Sequence, residues 1–181
     1  MMEIYISILR GINVSGQKLI KMDALKRMYE SLGFTNVKHY VQSGNIIFSS
    51  ETVKADSLAE KISSQVERDF GFQVPVLVMT KEELQKIIDE NPFARNAERD
   101  LSALYVTFLD GSLGEFDQSA IESVLQNGEA IHFGSNVVYL FCPGGYGRTK
   151  LSNTFLERKL KLKATTRNWK TTNKLLQLAD T

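Results

Sequence analysis

The residues best suited to chemistry lie in short polar stretches that carry glycine. Arg10-Gly11-Ile12-Asn13-Val14-Ser15-Gly16-Gln17-Lys18 sets a guanidinium beside an amide, and Gln42-Ser43-Gly44-Asn45 adds two amides and a hydroxyl. Guanidinium and amide groups donate hydrogen bonds in fixed directions, and glycine frees backbone N–H groups for close approach, so this mixture suits an anion. The local alternative is that Asn13 and Asn45 satisfy their own turns while Arg10 caps loop carbonyls. A second stretch, Pro143-Gly144-Gly145-Tyr146-Gly147-Arg148-Thr149-Lys150, runs from an apolar segment into a helical pattern. A glycine-rich loop of that kind turns N–H groups and a helix N-terminus toward phosphate. It is not a Walker A sequence, because no glycine directly precedes Lys150 and no hydroxyl directly follows it. Arg167-Asn168-Trp169 supplies another cation, an amide and an indole that would stack on a ring, although a Trp opening an amphipathic helix more often packs inward.

Catalytic machinery is not legible. His39 and His132 lie far apart, each in a strand pattern, without metal-ligand spacing or a nearby nucleophile. Cys142, the single cysteine, ends an apolar run that favours an inert thiol. Glu82 and Glu83 open a helix, where the dipole alone accounts for negative charge. No catalytic residue is assigned, enzymatic activity stays open, and neither a cofactor nor a metal is expected.

These stretches must be positioned by a scaffold. Ile4–Leu9 reads as a buried strand, and Met22, Leu25, Met28, Tyr29 and Leu32 follow at helical spacing until Gly33. Val37–Gln42 and Ile46–Ser49 flank Ser43-Gly44 as an antiparallel hairpin. Leu58, Ile62 and Val66 mark a helix closed by Gly71, and Val74–Met79 a strand with Pro75 near its start, which suits a sheet edge. Thr80 and Glu83 form a capping box for a helix that ends at Asn91-Pro92. After a polar connection the order repeats. Leu104–Leu109 is a strand, a helix carries Ile121, Val124 and Leu125, and Ala130–Phe133 with Val137–Phe141 form a hairpin. A helix then carries Leu151, Phe155, Leu156 and Leu160, Ala164–Arg167 is a short strand, and a last helix begins at Trp169.

Each half therefore reads β-α-β-β-α-β-α, which contains the split βαβ order of a ferredoxin-like unit. The expected fold is α+β, with two tandem ferredoxin-like halves, 1–93 and 94–181, and mainly antiparallel sheets. In such a unit the first two strands run parallel, so the loop after the first and the turn after the second leave one sheet edge. Arg10, Asn13, Gln42, Ser43 and Asn45 should meet there, and Gly147, Arg148, Lys150, Arg167, Asn168 and Trp169 should meet at an edge of the second half. A rival surface is a base-stacking sheet face carrying Tyr105, Tyr139 and Phe141, but the Lys/Arg-Gly-aromatic opening of RNA-recognition domains is missing.

Arg10-Gly11-Ile12-Asn13-Val14 with Gly16, Leu32-Gly33-Phe34, Gln42-Ser43-Gly44-Asn45, Asn91-Pro92-Phe93, Pro143 with Gly147 and Lys150, and Thr166-Arg167-Asn168-Trp169 together resemble the bacterial family catalogued as domain of unknown function 1697. The resemblance spans nearly the whole chain. It implies an α+β fold of ferredoxin-like halves and brings no reaction, ligand or catalytic residue. Ser15 stands where the usual motif has a second glycine, a change that leaves a tight loop feasible.

Composition bounds the rest. At 181 residues, 43% hydrophobic and 24% charged, the chain is an ordinary globular one. No apolar run approaches the ~20 residues of a membrane span, and the first residues lack the pattern of a secretory signal. A reducing cytoplasm suits the lone cysteine, and a monomer is favoured. The net charge of +1 hides an asymmetry: 144–181 holds nine Lys and Arg against two Asp and Glu, and the remainder thirteen against nineteen. The function expected from these features is binding of a small phosphate-bearing, nucleotide-like ligand by the polar glycine-containing loops. The alternative is a nucleic-acid-binding module using Arg148, Lys150, Arg158, Lys159, Lys161, Lys163, Arg167 and Lys170.

Overall fold

Alternating apolar segments and helical repeats resolve into eight strands and six α-helices in a computed structural model that describes residues Met1–Thr181. The order is β1 (Met2–Leu9), α1 (Met22–Ser31), β2 (Thr35–Tyr40), β3 (Asn45–Glu51), α2 (Ala55–Phe70), β4 (Val76–Thr80), α3 (Lys81–Asp89). It then repeats as β5 (Leu104–Leu109), α4 (Gln118–Glu122), β6 (Ala130–Phe133), β7 (Val137–Phe141), α5 (Asn153–Leu160), β8 (Ala164–Asn168), α6 (Trp169–Ala179). The fold is α+β, with two four-stranded antiparallel sheets ordered β2-β3-β1-β4 and β6-β7-β5-β8. No helix is long and apolar enough to cross a membrane.

The chain divides into two compact units, Met1–Lys86 with Lys174–Thr181, and Ile87–Asn173. In the first, α1 and α2 place Leu25, Met28, Tyr29, Leu58, Ile62 and Val66 against Tyr5, Leu9 and Phe48 of the sheet. Phe34 and Phe48 lie 4.5 Å apart by ring centroid, and Tyr29 meets the edge of Phe48 at 5.5 Å. Such pairs add about 0.5–1.5 kcal/mol beyond the area they bury. The tyrosine hydroxyls this core buries are satisfied, Tyr29 meeting Ser7 Oγ at 2.8 Å and Tyr5 donating to Val53 O at 2.9 Å. The last turns of α6 belong to this unit, where Lys38 Nζ donates to Leu178 O and Thr181 Oγ1, and Lys81 pairs with Asp180.

Local signals act as expected from their chemistry. Thr80 and Glu83 form the reciprocal capping box, Thr80 N–H donating to Glu83 Oε2 at 2.8 Å and Glu83 N–H to Thr80 Oγ1 at 3.1 Å. In the second unit Leu109, Ile121, Val138, Leu140, Leu156 and Leu160 form the core beneath α4 and α5. Helix α4 is a single short segment, capped by Asp117 and ending at Glu122, so Val124 and Leu125 lie beyond it in a turn.

Candidate functional site

The first polar edge forms where β1 and β2 end. Both strands pair antiparallel with β3, so they run parallel to each other and their C-terminal ends lie at one side of the sheet. Leu9 N–H donates to Gly44 O at 2.9 Å, and Asn13 Nδ2 donates to Gln42 O at 2.8 Å, so the two loops do meet. The same Asn13 amide also donates to Ile20 O, and its Oδ1 accepts from Ile20 N–H at 2.8 Å. Asn45 is fully buried and donates to Tyr40 O and to Ser43 Oγ. Asn13 thus ties the two loops together, and Asn45 bonds within its own turn. Gln42 stays exposed, Ser43 is half-buried, and Arg10 is half-buried with its backbone N–H on Pro75 O.

Backbone conformation explains why this edge needs such residues. Ser15 and Gly16 both take positive φ, 50° and 73°, and Gln17 N–H reaches Val14 O at 2.9 Å, so a tight primed turn forms with serine in the glycine-type position. Val41 has φ 52°, a strained state for a β-branched residue. At Gly44, with φ 76°, an added Cβ would lie 2.7 Å from Leu9 Cβ and 2.9 Å from Ile12 Cδ1, so only glycine fits.

The second polar edge forms where β7 and β8 end beside the start of β5. Leu104 pairs with Phe141 and Tyr105 with Asn168, and Cys142 N–H donates to Ala103 O. The loop that follows makes one 3-10 turn over Tyr146–Arg148 and is pinned by the Tyr146 ring, 5.3 Å from Tyr105, and by Tyr146 Oη donating to Thr166 Oγ1. Arg148 and Lys150 are exposed, and neither side chain has a hydrogen bond or ion pair. Gly147 has open space around it. Helix α5 begins only at Asn153, and Ser152 Oγ accepts from Phe155 N–H, so a side chain caps the N-terminus that the loop was expected to offer.

The three residues after β8's midpoint differ in availability. Arg167 is half-buried; loss of hydration lowers its guanidinium pKa to about 10, and Nη1 donates to Thr166 O. Asn168 is exposed, but its Oδ1 accepts from Thr171 N–H and caps α6. Trp169 is half-buried at the first turn of that helix.

Other candidates fall into place by register and burial. Tyr105 sits opposite Leu140 while Tyr139 sits opposite Val106, so Tyr105 faces the other side of the sheet from Tyr139 and Phe141. A single stacking face with all three rings does not exist. Tyr139 is 2% exposed and donates to Ile87 O, and burial pushes its hydroxyl up to about 12, with Glu90 adding to the effect. Cys142 is buried, and burial, with Glu129 adding, raises its thiol to about 11, so it carries negligible thiolate at neutral pH. His39 and His132 are exposed on the edge strands β2 and β6, and no group of three or more His, Cys, Asp or Glu side chains gathers to hold a metal.

Two features escaped the sequence reading. The Arg99 guanidinium lies over Phe93 at 4.7 Å and over Phe141 at 4.4 Å, between two rings. Asn91 is 1% exposed, its Oδ1 accepts from Phe93 N–H at 3.0 Å, and its Nδ2 has no partner. The Phe93 bond fixes the amide orientation, since a flip would set two donors against each other. A buried donor left unmatched costs about 1–3 kcal/mol. The available signal is an aromatic residue, Phe93, inside an otherwise polar connection, next to Asn91-Pro92, which reads as a helix stop and, with Phe93, as one of the motifs of the family resemblance.

The chain belongs to the family described as protein of unknown function (DUF1697), whose model matches residues 2–139. The Pro143–Lys150 and Thr166–Trp169 stretches lie beyond that match. Among solved structures the chain is similar to a conserved bacterial protein from Streptococcus pneumoniae, with a TM-score of 0.72, 25% identity and 99% of each chain covered. A comparison with curated proteins finds no significant match.

Proposed function

We propose that this protein binds a small phosphate-bearing molecule of nucleotide type at the edge where β7 and β8 end. The observation that carries the reading is the pair Arg148 and Lys150, exposed and without protein partners on a glycine-containing loop that its own tyrosine holds in place. Cations with no internal acceptor are available to phosphate, whereas those in ion pairs must first break them. Trp169 starts α6 directly after β8, at the same edge, and offers a ring face to a base. The edge beside β1 serves as scaffold in this reading, because Asn13 and Asn45 are consumed by its own carbonyls.

The same reading takes each unit as ferredoxin-like, supported by the βαββαβ order and the sheet orders β2-β3-β1-β4 and β6-β7-β5-β8. It places a monomer in the cytoplasm, where a single buried thiol needs no disulfide partner. A thermal-shift screen over nucleotides and sugar phosphates tests the function, since a ligand at ~100 times its Kd adds ~2.7 kcal/mol of stability. Trp169, the only tryptophan, reports binding at this edge by fluorescence. A screen with no shift and no fluorescence change for any phosphate compound removes the reading.

A further inference from the structure

A guanidinium carries five N–H donors and a permanent charge, so a half-buried one normally has an acceptor. Arg99 is half-buried and its guanidinium lies over the rings of Phe93 and Phe141, with no hydrogen bond or ion pair. A carboxylate is adjacent in sequence, yet Asp100 accepts from Ser102 N–H and Oγ instead of pairing with Arg99. Two rings at these distances restrict the guanidinium, and its N–H groups lie in its own plane, along the rim rather than on its faces. Asn91 shares Phe93 with this clamp: its Oδ1 holds the Phe93 N–H while its Nδ2 stays buried without an acceptor. The Asn91–Arg99 segment thus carries a cationic fork over two rings and an unmatched amide donor. A group made only of donors selects a ligand made of acceptors.

We propose that Arg99, clamped by Phe93 and Phe141 and backed by Asn91, is an oxyanion-binding site for the phosphate or carboxylate group of a small molecule. The site consists of residues outside the glycine-containing loop and does not depend on that loop binding anything. Its ligand approaches the rim of the guanidinium, with Asn91 Nδ2 as the second donor.

The experiment follows the Nε–Hε signal of Arg99 and the Nδ2 signals of Asn91 by NMR in the full chain. Inorganic phosphate and acetate are added separately, each against chloride at equal ionic strength. The expected result is a saturable shift of both signals with at least one oxyanion, phosphate alone assigning a phosphate group and acetate an organic acid. Arg99→Lys keeps the charge but loses the fork, and weakens binding read at Asn91 by about tenfold. The double variant Arg148→Ala, Lys150→Ala leaves the Arg99 titration unchanged even where it abolishes binding of a nucleotide by the loop. A wild-type shift that tracks chloride without saturating overturns the proposal, and so does loss of the Arg99 response in the double variant, which would assign the anion to the loop.

Discussion

The edge beyond β1 and β2 and the edge beyond β7 and β8 are similar as strings of letters, each polar, cationic and interrupted by glycine, and they differ in whether their donors are already used. At the first, Asn13 bridges Ile20 and Gln42, and Asn45 holds Tyr40 and Ser43, while Gly44 admits no side chain against Leu9 and Ile12. At the second, Arg148 and Lys150 extend without partners, Gly147 is surrounded by open space, and Arg99 is gripped only by rings. Asn13 and Asn45 in the first set the loop's shape; Arg148 and Lys150 in the second are left over after the shape is set. Only the second kind has hydrogen bonds to give a ligand.

Glycine substitution breaks the comparison most directly. Gly44→Ala should destabilise by about 2–4 kcal/mol in chemical denaturation, since the new Cβ clashes with Leu9 and the positive φ strains it. Gly147→Ala should change stability by less than about 0.5 kcal/mol, because nothing lies within 4 Å of its added Cβ. Equal effects at the two positions would remove the distinction between a saturated and an open edge.

Asn13→Ala removes three hydrogen bonds that hold two loops and should cost about 2 kcal/mol in the same assay. It should leave any nucleotide affinity at the other edge unchanged. The double replacement of Arg148 and Lys150 by Ala inverts this pattern, with stability held within about 0.5 kcal/mol and phosphate-ligand affinity lowered about tenfold by calorimetry. Retention of DNA or RNA by the wild-type chain, with a logarithmic salt slope of about −0.9 per phosphate on duplex or −0.7 on single strands, would instead favour the basic C-terminal segment as a nucleic-acid surface.

Val41→Gly should raise stability by about 0.5–1 kcal/mol by relieving the strained φ at the closed edge, measured as a higher denaturation midpoint at constant slope. The smallest effect concerns Cys142. Its thiol is pushed up from 9.0 to about 11 by burial, so the neutral form contributes stability in full below pH 9. That contribution is lost as pH rises through 11, because unfolding then releases a proton. Stability should decline over this window and decline less in Cys142→Ala; native-state labelling of the thiol at neutral pH should be slow, limited by opening of the second unit.

Much of the framework is legible in the sequence, for physical reasons visible in single residues. Apolar periodicity marked β5, β6 and β7 at their observed bounds, Gly71 and the Thr80–Glu83 box marked helix ends, and element order was enough to bring the loops of Asn13 and Gln42 together. These are local preferences and chain-direction constraints, which depend on neighbours in sequence. Helix α4 is shorter than its apolar spacing suggested, because burial of Ile121 needs only one turn. Register was the property that tertiary structure decided for Tyr105: a one-residue offset places it on the opposite face from Tyr139, and pairing partners decide that offset. The use of each donor was decided in the same way. Whether Asn13 meets Gln42 O, Asn91 lacks an acceptor, or Arg99 finds two rings and no carboxylate depends on groups up to tens of residues away. Residue type determines what a side chain is able to donate, and packing determines what is left for it to donate to.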